Sequence, residues 1–237
     1  MDIIAFLKSN PLARKLSENQ LQILAESAQK KICKTGQLII NEGDIARTFY
    51  IVVSGMVKMF KTSPEGKEQT LFLLGPGKVF GMCAVFSDSI FPANVSAVEE
   101  SVLLVFSGDA VEPIAQQDPT ILFNIVFVLS LRLKESMALI ESLSLKDIPQ
   151  RVASFLLFST LDKSCNKGEV LDLTISRREM SKILGSTPET LSRVLTKMAA
   201  TNIIAIHGRR IHILDCEALQ KLASGVSLPE IKPTIYI

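Results

Sequence analysis

The chain has 237 residues, with 26 lysines and arginines against 24 aspartates and glutamates, a formal net charge of +2, and 47% hydrophobic residues. That length allows one or two domains with ordinary cores, and the hydrophobic content argues against disorder. The longest uncharged stretch, Pro119 to Leu131, is too short to span a bilayer, and Ile3 to Leu7 lacks the pattern of a secretion signal, so a cytoplasmic protein without membrane contact is expected.

An opening helical stretch is expected from Asn10 to Gln29. After it, β-branched runs recur at Leu38–Ile40, Thr48–Val53, Met56–Lys61, Gln69–Leu74, Asn94–Ala97 and Val102–Phe106, punctuated by glycines at 36, 43, 55, 66, 75, 77 and 81. Many short strands with closely spaced turns predict an all-β sandwich or barrel over residues 1–117. Gly75, Gly77 and Gly81 lack the lysine and serine or threonine of a P-loop and read as turn glycines.

A long helix is predicted over 118–146. Leu122, Val126, Leu129, Leu133, Ser136, Ile140 and Leu143 alternate four and three residues apart, a heptad seam interrupted at Ser136 that predicts a helix pair and hence a homodimer. Ile121, Phe123, Ile125, Phe127 and Val128 form a further apolar surface, which implies that the first half of the helix also packs on its own β-domain.

Asp147 as N-cap and Pro149 as an early-helix proline open a new helix, Pro149 to Leu161, after a break that reads as a hinge. Residues 173–212 then read as a short strand, a helix-turn-helix and a basic wing. Ser176, with Glu179 three residues on, caps a helix over Arg177 to Leu184, and Gly185 ends it. Thr187 caps a second helix whose first residue is Pro188 and whose buried stripe is Leu191, Val194, Leu195 and Met198. Between residues 177 and 210 seven basic residues face two acidic ones, so positive charge is concentrated where phosphates would lie.

Cys33, Cys83, Cys165 and Cys216 are dispersed without a C-x-x-C pair, which predicts reduced structural thiols rather than a disulfide frame or zinc site. No clustered nucleophile, base or metal set supports an enzyme. The tail, 226–237, carries Pro229 and Pro233 and is expected to be loosely docked or disordered.

The order of β-domain, long helix, hinge and winged helix carries two sets of motifs. The first is Gly36, Glu42-Gly43-Asp44, Tyr50-Ile51, Ser54-Gly55, Leu74-Gly75-Pro76-Gly77 and Phe80-Gly81; the second is Thr187 through Arg193. Together they resemble the Crp/Fnr family of bacterial transcription regulators across roughly residues 10–220. The resemblance implies an α+β fold: an N-terminal β-roll of jelly-roll type that senses an effector, a dimerisation helix, and a winged helix-turn-helix over 147–225. It implies double-stranded DNA and RNA polymerase as partners.

Residues expected at the DNA are Arg177, Arg178, Ser186, Thr187, Glu189, Thr190, Ser192, Arg193, Lys197, His207 and Arg209. Glu189, Ser192 and Arg193 match the Glu-x-x-Ser-Arg pattern of the Fnr side of the family, which implies palindromic sites with TTGAT-like half-sites. Arg193 suits guanine O6 and N7, Glu189 cytosine N4, and Ser192 a thymine edge. Pro188 stands where cyclic-AMP-dependent members carry a base-reading arginine.

The effector pocket is expected at Phe72, Met82, Cys83, Val85, Phe86, Phe91 and Pro92, faced by Ser130, Lys134 and Met137 of the long helix. Where cyclic-nucleotide binders carry Phe-Gly-Glu and Arg-Ser-Ala, this chain has Phe80-Gly81-Met82 and Phe91-Pro92-Ala93, so cyclic AMP loses both its ribose and its phosphate partner. The clustered N-terminal cysteines of the iron–sulfur branch are missing. The Phe-Pro-Ala sequence resembles the Dnr/HcpR nitrosative-stress branch, which implies haem and nitric oxide. Both histidines, His207 and His212, lie in the DNA-binding domain, so haem would need a methionine, a cysteine or another ligand. Haem, another small apolar or anionic effector, and no effector at all stand as the three readings. On the same resemblance, effector binding is expected to rotate the paired helices, Ser136 being their loosest point, and to reposition the recognition helices through the hinge at Asp147.

Overall fold

In the computed structural model, which describes residues 2–160, 168–173 and 175–226, the chain divides after Met137 into two units, Met1–Met137 and Ala138–Ile237. The first opens with helix α1 (Ile3–Lys8), a 3-10 turn (Pro11–Ala13) and helix α2 (Glu18–Glu26). The single helix expected over 10–29 is therefore replaced by two pieces, the 3-10 turn and α2, with α1 lying ahead of them. Asn10 caps the 3-10 turn ahead of Pro11, Lys15 takes a left-handed φ of 62°, and Ser17 starts α2 with a capping box completed by Gln20. Gln29 already belongs to strand β1 (Gln29–Cys33).

Seven further strands follow: β2 (Leu38–Ile40), β3 (Thr48–Ser54), β4 (Val57–Thr62), β5 (Glu68–Leu74), β6 (Val79–Phe80), β7 (Asn94–Ala97) and β8 (Ser101–Ser107). They form two four-stranded antiparallel sheets, ordered β1-β8-β3-β6 and β2-β7-β4-β5. Each strand named from its β-branched pattern is present within a residue or so. β1 and β6 escaped sequence reading, one being charged and largely exposed and the other only two residues long.

Between β6 and β7 lies α3 (Met82–Phe86), and its entry explains one glycine. Gly81 has φ +88°, and a Cβ there would stand 2.8 Å from the Thr48 carbonyl oxygen, so only glycine passes this point without strain. Phe49 and Phe106 stack at 4.9 Å between centroids in the main core of this unit, where each fully buried side chain contributes about 1.5–3 kcal/mol relative to exposure.

After β8, helix α4 (Val111–Gln117) leads to helix α5 (Thr120–Leu145), whose first turn is capped by Asp118 through the Thr120 N–H at 2.8 Å. Its rotation is fixed by packing. Ile121 and Ile125 are buried in the β-domain core, and Asn124 Nδ2 donates to the carbonyls of Leu12 and Arg14 at 3.0 and 2.7 Å.

The second unit holds α6 (Ile148–Phe158), β9 (Val170–Asp172), α7 (Arg177–Ile183), α8 (Pro188–Ala200), β10 (Ile204–His207), β11 (Arg210–Ile213) and α9 (Cys216–Ala223). The strands make one three-stranded antiparallel sheet, β10-β11-β9. The strand expected at the head of residues 173–212 is β9, a few residues earlier; Thr174 lies outside the described residues. So do Leu161, Cys165 and the tail from 227 onward.

Asp147 caps α6 with a full capping box through Gln150. Leu156, Met180, Leu191, Met198, Ile213 and Leu219 are fully buried and bring α6, α7, α8, α9 and the small sheet to a common core. Cys216 is disulfide-bonded, which corrects the expectation of four reduced thiols. Spacing along the chain could not show this, since a disulfide needs two sulfurs brought close by folding. Cys33 and Cys83 are free, Cys33 buried and Cys83 exposed. Among the described residues, no helix is long and apolar enough to cross a membrane.

Candidate functional site: recognition helix and apolar cavity

Helix α7 begins at Ser176, whose Oγ accepts the Glu179 N–H at 3.1 Å, while the Glu179 carboxylate reaches Lys182 Nζ at 3.1 Å. After the Leu184 cap, Gly185 takes φ 62° and turns the chain into α8. Thr187 Oγ1 accepts the Thr190 N–H at 3.2 Å, so Thr187 and Thr190 form the cap of α8 as well as its leading edge. Leu191, Leu195 and Met198 are buried and hold the helix to the unit, and Val194 is half-buried beside them.

That packing leaves the opposite side of α8 open. Pro188, Glu189, Ser192, Arg193, Thr196 and Lys197 line one shallow concavity along the helix, with Ser192, Arg193 and Thr196 exposed. The three expected base readers thus lie side by side, and Thr196 joins them. Sequence reading missed Thr196, although its spacing of four from Ser192 and three from Arg193 places it on their face.

Electrostatics suits the acceptor role of Glu189. Its own backbone N–H at the helix start and the Thr187 hydroxyl hold its carboxyl below the usual carboxylate range, and Arg193 adds to this. An ionised carboxylate at the first turn beside an arginine gives one acceptor and one bidentate donor on the same face.

Arg177 and Arg178 are exposed on the first turn of α7, and Arg177 lines a cleft together with Arg209 of the wing. His207 and Arg210 close the β10–β11 hairpin around Gly208 and Arg209. Arg210 is engaged with Asp172 at 3.5 Å, an exposed ion pair that partly offsets its charge. Ser186 is half-buried and its hydroxyl donates to the Thr187 carbonyl at 3.3 Å.

The first unit encloses a second feature, a cavity of about 290 Å³ between the β2-β7-β4-β5 sheet, α3 and α5. Phe72, Met82, Cys83, Phe91 and Pro92 line it as expected from the sequence, with Ile40, Met59 and Val95. Val85 instead packs in the main core of the unit, and Phe86 is exposed.

The helix side of the cavity differs from the sequence expectation. Val128, Leu129, Arg132 and Ser136 line it, whereas Ser130, Lys134 and Met137 are exposed. Leu129 and Ser136, assigned to the dimer seam, therefore turn toward their own β-domain. Leu122, Val126, Leu133, Met137 and Ile140 are left as an exposed apolar stripe, and Leu143 is half-buried. At about 100° per residue on a straight helix, Leu129 and Ser136 fall on the side of Leu122 that leads toward Ile125 and Arg132, whereas Val126 and Met137 fall on the other side.

Arg132 is the residue that sequence reading passed over here. Burial pushes its guanidinium below the ordinary arginine value, opposed by the charge of Glu135. It lies over the Phe72 ring at 4.5 Å, donates from Nη1 to Glu135 at 2.6 Å and from Nη2 to the Val79 carbonyl at 3.3 Å. Its signal was its spacing of three and seven from Leu129 and Ile125, on the buried face.

A helix-turn-helix with a basic wing, on a chain that also carries an antiparallel β-domain with a side-chain-lined cavity, defines a DNA-binding transcription regulator rather than an enzyme. The cyclic nucleotide-binding domain family matches residues 30–118, and the Crp-like helix-turn-helix domain matches residues 150–222. The chain belongs to the Crp/Fnr family of transcription regulators.

Over 221 residues it is 28% identical to a cyclic AMP receptor protein of Thermus thermophilus, covering 93% of this chain and 100% of that one. It is 29% identical over 197 residues to the transcriptional activator protein Anr of Pseudomonas protegens, covering 81% and 79%. The solved structure of FixK2 from Bradyrhizobium japonicum is similar with a TM-score of 0.74 and 25% identity, over 84% of this chain and 99% of that chain.

Proposed function

We propose that this protein is an effector-responsive homodimer that reads palindromic TTGAT-like sites in cytoplasmic double-stranded DNA and acts through RNA polymerase. The observation that supports this reading best is the exposed face of α8, where Glu189, Ser192 and Arg193 stand together over a stripe that is otherwise buried. Arg177, Arg178, Lys197, His207 and Arg209 supply phosphate contacts around it, and Ser186, Thr187 and Thr190 present the helix N-terminus. The exposed stripe of α5, from Leu122 to Ile140, is the proposed dimer seam, which would carry two α8 helices to successive major grooves.

The effector of this reading is not cyclic AMP, although one relative is named for it. Met82 and Phe91, both buried and lining the cavity, occupy the positions where a nucleotide would need a carboxylate and a cation. Haem is the weaker alternative. The cavity offers Met59, Met82 and Cys83 as ligands but no histidine, and about 290 Å³ lies at the lower edge of small-molecule sites. The nitrosative-stress reading of Phe91-Pro92-Ala93 depends on haem and weakens with it.

Fluorescence anisotropy on a TTGAT palindrome and on a scrambled duplex, each with and without saturating cyclic AMP, tests the reading. Preference for the palindrome that cyclic AMP leaves unchanged supports it. Equal affinity for both duplexes would remove the sequence-specific part, and a cyclic-AMP-dependent gain would remove the non-nucleotide part. A Soret band in the purified protein would restore haem.

A further inference from the structure

The sensor cavity is apolar in all but one respect. Lys61 and Arg132 are the charged side chains among its described lining residues, and both are cations. An apolar chamber with cationic charge is complementary to an anion that carries a hydrocarbon body.

The two cations differ in what holds them. Lys61 pairs with Glu42 at 2.5 Å and its side chain is 47% exposed, whereas the Arg132 side chain is 22% exposed and its counter-ion is Glu135. Stacking on Phe72 and the bond to the Val79 carbonyl keep the guanidinium oriented without Glu135. Glu135 is itself shared: Oε2 meets Arg132 at 2.6 Å and Oε1 meets Lys78 at 3.4 Å. The carboxylate can thus leave Arg132 and keep a cation beside it.

We propose that the cavity binds a small amphipathic monocarboxylate, whose carboxylate takes the place of Glu135 on Arg132 and whose hydrocarbon body lies against Phe72, Met82, Phe91 and Leu129. This rests on reading the cavity as the effector site. A planar guanidinium receives a carboxylate through two parallel N–H bonds, which an alcohol or an uncharged hydrocarbon cannot match. The volume sets the size class, since about 290 Å³ holds on the order of ten water-sized groups. Arg132 is also on α5, the helix whose other face carries the stripe assigned to dimerisation, so the exchange at Glu135 acts on the element the proposed switch requires.

Octanoate and its uncharged counterpart 1-octanol are the probes, measured by titration calorimetry on the full chain. Octanoate binding at least about tenfold tighter than octanol is expected. Arg132→Gln should abolish that difference while leaving octanol unchanged, and Glu135→Gln should tighten octanoate by removing its internal competitor. Equal affinity for the two probes, no octanoate binding, or undiminished octanoate binding by Arg132→Gln would each overturn the proposal. Should Arg132→Gln fail to fold, as read by circular dichroism, the comparison of probes on the unaltered chain decides. Palindrome binding without any octanoate binding would overturn the ligand class and spare the regulator. Octanoate binding that leaves DNA affinity unchanged would retain the ligand class and overturn the effector role of the cavity.

Discussion

Arg151 Nη1 donates to the main-chain oxygen of Leu184 at 3.0 Å, tying α6 to the last turn of α7. The same guanidinium donates from Nη2 to Leu143 at 2.8 Å and from Nε to Lys146 at 2.9 Å. One side chain therefore satisfies carbonyls at the end of α5, at the break that follows it, and at the turn that launches the recognition helix.

Arg151→Ala should destabilise the second unit by about 2 kcal/mol, because three carbonyls lose a charged donor at once. Arg151→Lys should recover less than half of that, a compact ammonium being unable to serve three divergent acceptors. Urea denaturation followed by far-ultraviolet circular dichroism measures both. An alanine variant as stable as the parent would mean that water replaces the guanidinium without cost.

Arg193→Ala should weaken the palindrome by about 1–3 kcal/mol while changing affinity for a scrambled duplex much less, since the proposed bidentate guanine contact would be lost along with one charge. Competition binding at fixed salt gives the ratio. An equal loss on both duplexes would assign Arg193 to the phosphates.

Glu189 makes a pH prediction with a definite sign. Its carboxyl is held below the usual range by its own backbone N–H, by Thr187 and by Arg193, so it remains ionised as the solution is acidified toward the ordinary carboxylate value. The preference for cytosine proposed for it should be present above that value and lost only below it. The affinity ratio between the natural base and a substituted one, which cancels phosphate contacts, should therefore hold from pH 7 down to about pH 5. A ratio that collapses in that interval would show a carboxyl with a raised value.

Leu133→Glu should dissociate the proposed dimer, because Leu133 is 61% exposed on the apolar stripe of α5. Leu131→Glu is the control; Leu131 is also exposed, but two residues away it points well off the stripe. Sedimentation velocity should show monomer for the first and dimer for the second. Dimers from both would move the interface elsewhere. Ser136→Leu, which a seam at Ser136 would make a dimer-strengthening change, should instead fill the cavity, since Ser136 lines it.

Much of the second unit was legible because its signals are local. Ser176, Gly185, Thr187 and Pro188 act within a few residues of themselves, and the structure places each at the helix end its chemistry suits. The reading of Arg177, Arg178 and Arg193 as surface charge needed only composition and spacing. The strands of the β-domain were legible by the same logic wherever they alternate, and β1 was lost because Lys30 and Lys31 give it the pattern of a charged segment.

The sequence by itself determined the class of this protein: a helix-turn-helix with its caps and charges, and a β-domain before it, both written in neighbouring residues. Only the tertiary structure decided which rows of α5 face inward. That helix is apolar on more than one side, so its pattern permits several rotations, and Ile121, Ile125 and Asn124 select one by docking on the β-domain. This choice put Leu129 and Ser136 into the cavity and Met137 on the stripe. It also brought Arg132 over Phe72, where it joins Lys61 as a cation in the lining of an otherwise apolar chamber.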